Sequence, residues 1–158
     1  MLTAMLSAGG LLAQDENPKL DRYCNARFGY CVDYPNVLMY RGQESANGDG
    51  LVFTNTAGAE VLRVYGRLNQ DANGKTLTLN QQFKKDVAGD PKNKRKVTYQ
   101  KMGKDFYAIS GYEGDNIFYL KVVQLDNAFG YAIMHYKPDE KAIYEEGGIL
   151  EAVFASFR

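Results

Sequence analysis

Tryptophan is absent from this chain, histidine occurs once, at His135, and cysteine twice, at Cys24 and Cys31. With so few soft donors, a four-ligand metal site would need carboxylates to complete it, and the spacing of the two cysteines is wrong for C-x-x-C redox chemistry. An excess of charge is also missing: Lys+Arg and Asp+Glu each number 19, so the formal net charge is zero. A nucleic-acid partner normally leaves a basic excess, which argues against that class. The basic run Lys92, Lys94, Arg95, Lys96 accordingly reads as a solvated connection. No acidic tail suggests a charge-driven, disordered partner.

What is present points to one folded unit. A chain of 158 residues can bury a core without staples and falls in the usual range of a single domain. Its aromatic content comes from 12 Tyr and 8 Phe, residues that favour strands, so a sheet-rich domain is expected.

The first thirteen residues, Met1 to Ala13, carry no charge. That run is shorter than the roughly 20 apolar residues of a bilayer-spanning helix, and it fits the apolar region of a secretory signal peptide cleaved after Ala13. No basic residue precedes it, so either the start is trimmed or the true initiation site lies upstream. Residues 14–22 read as a flexible leader before a globular domain over 23–158. Cys24 follows Asp21-Arg22-Tyr23, which is no lipid-anchor box, and the mature product is expected to be soluble, periplasmic or secreted, with no integral membrane segment. Between Cys24 and Cys31, Gly29 offers a turn, and a hairpin there would bring the two sulfurs within bridging reach. A disulfide is the expectation in an exported chain, with two reduced, half-buried thiols as the alternative.

Strand and turn signals alternate from Tyr23 onward. Phe28 to Tyr34 reads as a strand ended by Pro35, and residues 36–41 as a helical turn or a bend. Asn47-Gly48-Asp49-Gly50 and Thr56-Ala57-Gly58 are turns around a strand from Leu51 to Asn55, and Glu60 to Gly66 completes a hairpin. Thr78 and Gln81 have capping-box spacing, and Leu79, Phe83 and Val87 recur every four residues, which predicts a helix ended by Gly89-Asp90-Pro91. Lys96–Met102, Asp105–Tyr112 and Asn116–Leu125 then form an antiparallel meander, followed by a strand over Phe129–Tyr136. A C-terminal helical region starts at Pro138, breaks near Gly147-Gly148, and directs Ile143, Leu150, Val153, Phe154 and Phe157 at the sheet. The fold class is therefore α+β: an antiparallel sheet of about six or seven strands with packed helices.

The segment Tyr23-Cys24-Asn25-Ala26-Arg27-Phe28-Gly29-Tyr30-Cys31-Val32-Asp33-Tyr34-Pro35 resembles the opening of the PsbP/Mog1/DcrB-like superfamily, in which an aromatic-Gly-aromatic strand ends at Pro. The ending Ala155-Ser156-Phe157-Arg158 is similar to the terminal Ser-Phe of those domains. The stretch from Asn47-Gly48-Asp49-Gly50 through Phe53 to Val64-Tyr65-Gly66 looks like uncharacterised secreted proteobacterial proteins. The resemblance spans roughly 23–158 and describes a scaffold. It implies a Mog1/PsbP-like fold and a non-catalytic adaptor or partner-binding module, and it transfers no active-site motif.

The residues themselves offer little chemistry. His135 as a general base would need a nucleophile and an orienting group, for which Ser110 or Asp105 could serve, but no Gly-x-Ser-x-Gly elbow accompanies it. Asp33, Asp49, Glu60, Asp105, Glu113 and Asp115 sit mostly beside Gly or Asn in turns, where local hydrogen bonding accounts for them. Asp71-Ala72-Asn73-Gly74 lacks the later ligands of a calcium loop. Gly48 and Gly50 open no helix after a strand, so they cradle no phosphate. No catalytic, metal or cofactor residue is expected. Two functions follow: an exported module that binds another protein through Tyr65, Tyr112 or Tyr119, or a small periplasmic hydrolase using carboxylate or His135 chemistry.

Overall fold

A computed structural model describes residues 19–158. The predicted signal peptide, 1–13, and the leader as far as residue 18 lie outside those residues. Leu20, Asp21 and Arg22, read above as the end of the leader, belong instead to a strand, β1 (Leu20–Cys24), which pairs antiparallel with β2 (Cys31–Pro35). Arg22 is held there by Asp33, directly opposite it in the ladder, through Nε–Oδ1 at 2.6 Å. Cys24 and Cys31 also face each other, and a disulfide joins them.

The second strand starts three residues later than the sequence suggests because Asn25 captures the loop. Its Oδ1 accepts the Phe28 N–H at 2.8 Å, while its own N–H donates to the Tyr30 carbonyl. Phe28 is thereby turned down onto Gly66, where any side chain would collide with its ring. The disulfide closes a loop this short over a connection already held by local bonds. Replacing Cys24 and Cys31 together by Ser should lower stability by about 2–3 kcal/mol, read from denaturant midpoints of oxidised wild type and variant.

Seven further strands form one antiparallel sheet: β3 (Tyr40–Arg41), β4 (Gly50–Thr54), β5 (Glu60–Leu68), β6 (Arg95–Met102), β7 (Phe106–Glu113), β8 (Asn116–Gln124) and β9 (Ala128–Tyr136). Their spatial order is β3-β4-β5-β9-β8-β7-β6, so the meander β6 to β9 folds back to lay β9 against β5. The connection from β5 to β6 carries α1 (Leu79–Ala88), whose first turn is closed by the expected box: the Gln81 N–H donates to Thr78 Oγ1, and the Thr78 N–H to Gln81 Oε1. After β9 come a 3₁₀ turn at Pro138–Glu140, a π-helical turn at Ala142–Glu146, and α2 (Ile149–Ser156). The break falls at Gly147-Gly148, and Gly148 adopts a positive φ of 73°. Ile143, predicted to face the sheet, is exposed, because the π turn shifts the register and buries Tyr144 instead.

The two faces of the sheet are covered unequally. On one face the β1–β2 hairpin and α2 lie over β4, β5, β9 and the near side of β8, and there Tyr23, Tyr30, Tyr34, Phe53, Leu62, Met134, Val153 and Phe157 form the larger core. On the other face α1 lays Leu79, Phe83 and Val87 on Tyr107, Ile109, Phe118, Leu120, Phe129 and Tyr131. Neither cover spans all seven strands. The first face is bare toward β6, and the second is bare toward β4 and β5.

Candidate functional site

Strand alternation decides which side chains stand on the bare part of the first face. Cross-strand partners share a face, so Ser110 sits with Tyr119, Tyr112 with Ile117, and Ala108 with Lys121 and Lys101. The parity of β6 is broken by a bulge at Thr98, between Val97 opposite Gly111 and Tyr99 opposite Ser110. Gly111 is required there: an added Cβ would lie 1.9 Å from the Lys96 carbonyl oxygen. The bulge sends Val97 into the core under α1 and places Tyr99 beside Tyr119 on the opposite side.

These residues floor a groove of about 440 Å³ between α2 and the edge strand β6. Tyr99, Lys101, Phe106, Tyr119 and Lys121 form the floor, and Leu150, Glu151 and Phe154 the wall. Tyr119 packs on Phe154 with ring centroids 4.4 Å apart. Tyr99 and Tyr112 remain 46% and 41% exposed, an unusual display for neighbouring aromatics on one sheet face. Lys121 is half-buried, and its Nζ donates to the Phe154 carbonyl at 2.7 Å and lies 5.2 Å from the Phe106 ring centroid. Burial holds its pKa below the ordinary lysine value, and the Arg158 charge adds to this. No carboxylate pairs with it among the described residues.

Of the three tyrosines singled out from sequence, Tyr112 and Tyr119 therefore share one surface. Tyr65 does not: it stands on the other face, stacked on Tyr131 at 4.7 Å with the rings 1° from parallel. Burial, reinforced by the Asp86 charge, pushes its hydroxyl up to about 12. It borders a second recess, of about 530 Å³, with Gly50, Val52 and Arg63 over the bare part of β4 and β5. Tyr99, Lys101, Phe106 and Lys121 escape the sequence reading. A lone lysine inside the apolar run of β8 was the available signal for Lys121, whereas the bulge conceals Tyr99.

His135 also lies on the α1 face, away from the groove. Its Nε2 is 2.7 Å from Glu113 Oε2, and the other oxygen of that carboxylate is held by Arg95. Burial raises the Glu113 pKa, but hydrogen bonds from His135 and Arg95 outweigh it and leave the carboxyl below its ordinary value. Ser110, considered above as its nucleophile, is on the opposite face of the sheet, and Asp105 precedes β7 at the far end from Glu113. Ser110 and Asp105 are therefore not assembled with His135. Asp33 and Glu60 are spent on arginine pairs, and Asp71 accepts from the Asn73 and Lys75 N–H groups of its own turn. No group of three or more His, Cys, Asp or Glu side chains placed to hold a metal ion occurs among the described residues.

The densest polar cluster fastens α1 to the sheet. Tyr107 Oη donates to the Asp86 carboxylate, Gln82 Nε2 donates to the same group at 3.2 Å, and Arg67 donates to Gln82 Oε1 at 3.0 Å. Arg95 completes it with a bond to the Asp86 carbonyl at 2.6 Å. Every one of these groups is committed to another, which makes the cluster a fastening. Burial raises the Asp86 pKa, with the hydrogen bonds from Tyr107 and Gln82 and the nearby arginines opposing it only in part. A carboxyl held above its unfolded pKa contributes most to stability when protonated, and that contribution is lost as pH rises through the folded pKa. Asp86→Asn removes the titration. The stability of wild type relative to this variant should therefore fall from about pH 4 upward, measured by chemical denaturation of both across that range.

No protein-family profile matches the sequence, and no curated protein matches it. Among solved structures, the chain is similar to cyanobacterial PsbP (CyanoP) from Synechocystis sp. PCC 6803, seen in solution, with a TM-score of 0.59 at 12% sequence identity. The match covers 94% of this chain and 97% of that one, so the fold as a whole, and not a fragment of it, is PsbP-like.

Proposed function

We propose that this chain is an exported, non-catalytic accessory module that binds another protein through the groove between α2 and β6. The observation that carries the reading is the display of Tyr99 and Tyr112, both exposed on the part of the sheet that α2 leaves bare, next to Tyr119, which packs on Phe154 of α2 at the wall of the groove. Tyrosine supplies broad contact area at low entropic cost and keeps a polar tip for orientation, which suits a docking surface. The PsbP-like scaffold supports the same reading at the level of fold alone. The bridged hairpin supports an oxidising compartment. The secreted proteobacterial proteins that the sequence resembles fit this assignment too.

The test is affinity capture with tagged protein from envelope extract of the source organism. Tyr99→Ser combined with Tyr119→Ser should weaken capture of a specific partner at least about tenfold, the consequence of losing about 1.4 kcal/mol of contact. Tyr65→Ser, on the opposite face, should retain it. Equal capture by all three proteins would refute the groove as the docking surface. Turnover of an ester, glycoside or phosphate that disappears in Glu113→Gln would establish the hydrolase reading in its place.

A further inference from the structure

The bare part of the first face has the width and relief of a helix seat. α2 follows the strands, from Leu150 beside Ile117 and Tyr119 to Phe157 beside Gly130. Strands lie about 4.8 Å apart and packed helices about 8–10 Å apart, so a helix beside α2 would lie two strands on, over β7. There the floor drops. Ala108 and Ser110 are small residues at the middle of β7, with Tyr99 and Lys101 of β6 on one side and Tyr119 and Lys121 of β8 on the other. The charges along this trough are segregated. Glu145 and Glu151 stand on the side of α2 and the turn before it, and Lys96 and Lys101 on the side of β6. All four are exposed, and none makes an ion pair among the described residues. Glu145 accepts from Tyr136 Oη at 2.6 Å, and Lys121, in the floor, is spent on the Phe154 carbonyl.

From this geometry we infer that the trough seats an amphipathic helix of the partner protein, laid beside α2 over β7. Its apolar stripe descends between Tyr99 and Tyr119 onto Ala108 and Ser110, as in other helix-in-groove recognition. Its two flanks carry opposite charge: basic residues toward Glu145 and Glu151, acidic residues toward Lys96 and Lys101. A segment charged with one sign throughout meets repulsion on one side of the trough, whichever sign it has. A strand added beyond β6 is opposed by the bulge at Thr98 and by the edge lysines, devices that keep sheet edges from pairing. A second copy of the chain is disfavoured as the occupant. Both α-helices among the described residues turn their apolar side chains onto their own sheet, so neither has a stripe to offer. The inference rests on the groove being the docking surface and adds the form and charge pattern of the segment that enters it.

The experiment uses the full chain, as exported, as bait for a phage library built on a single-helix scaffold randomised along one stripe and both flanks. Selected helices should carry large apolar residues in the stripe, Asp or Glu along one flank and Lys or Arg along the other. Titrated as free peptides of about fifteen residues, they should gain helical circular dichroism on binding, and a proline at mid-stripe should abolish it. Glu151→Lys and Lys101→Glu should each weaken binding about fivefold at low salt and less at high salt. Ser110→Phe fills the trough and should weaken binding at least about tenfold, with its unfolding transition recorded beside the titration. Tyr99→Ser gives the same readout should Ser110→Phe not fold, and Lys75→Glu, on a distant loop, should bind as wild type does. Failure to enrich any helix, flanks of one sign, or binding without a gain of helicity overturns the helix seat. So does retention of affinity in both charge variants, or self-association of the chain through this face. If partner capture still depends on Tyr99 and Tyr119 after any of these results, the docking groove stands and only the mode of engagement is wrong.

Discussion

Phe157→Ala should lower the unfolding free energy by about 3–5 kcal/mol, a large share of the total for a domain of this size. Phe157 is fully buried, with its ring 5.5 Å from that of Tyr30 and an edge near Gly130. It follows α2 and precedes Arg158, whose N–H and C=O both bond to Cys31, so the ring is delivered to the core by a chain end tied to the disulfide hairpin. The hole left by alanine cannot close easily. The hairpin above it is fixed by the bridge and the sheet below it by its ladder, so most of the cavity cost should appear. Phe154→Ala should cost less than Phe157→Ala. Phe154 borders the groove against Tyr119, and its loss widens a recess already open to water. Denaturant midpoints of both variants, with the partner-capture assay run beside them, separate the roles. If both midpoints stay at the wild-type value, the terminal segment is a docking element and not part of the core.

The second large effect concerns Asn25, which is 1% exposed and has hydrogen bonds on both sides of its amide. Oδ1 accepts from Phe28, and Nδ2 donates to Gly48 O at 2.9 Å, Tyr23 Oη at 3.0 Å and Glu44 Oε1 at 3.1 Å. The residue therefore stitches the hairpin loop to the loop before β4. Asn25→Asp keeps the shape and the acceptor but replaces every donor with negative charge, facing the Glu44 carboxylate and a carbonyl oxygen. An uncompensated buried charge of this kind costs about 3–5 kcal/mol. Repulsion and burial both raise the pKa of the introduced carboxyl above its unfolded value. The variant should therefore regain stability in acid and lose it as pH rises through that raised pKa. Asn25→Ala, which strands polar groups without adding charge, should cost about 1–3 kcal/mol for each group that water does not reach, with little dependence on pH. Thermal melts of the three proteins between pH 4 and pH 8 test both the size and the sign. A flat profile for Asn25→Asp would show that the loop opens to solvent around it.

The fold was legible where its causes are local. The box at Thr78 and Gln81, the four-residue stripe of Leu79, Phe83 and Val87, the turns at Gly48 and Gly58, and the run of hairpins from β6 to β9 all depend on near neighbours. Errors entered where a distant or irregular contact decides. β1 reads as polar leader because only Tyr23 in it is buried, and its pairing with β2 is what makes it a strand. Ile143 and Tyr144 exchange roles through a π turn that no helical periodicity anticipates. The site was legible in part. Tyr112 and Tyr119 follow from strand parity, but a single extra residue at Thr98 decides that Tyr99 joins them, and the separation of Ser110 from His135 appears only once the strands are in register.

The central ladder of the sheet has a consequence for how the chain reaches this state. β5 and β9 come from opposite halves of the sequence, and Leu62 pairs with Met134 across their join. The hairpins of β6 to β9 can form from near neighbours within microseconds each, while β3, β4 and β5 make a second local unit. Joining the two halves requires closing the long connection that carries α1, an entropic cost met before any contact of the central ladder rewards it. Folding should therefore be limited by the meeting of two preformed halves. Variants in the β5–β9 ladder, such as Val64→Ala, should slow refolding, whereas variants in α2 should act chiefly on the rate of unfolding.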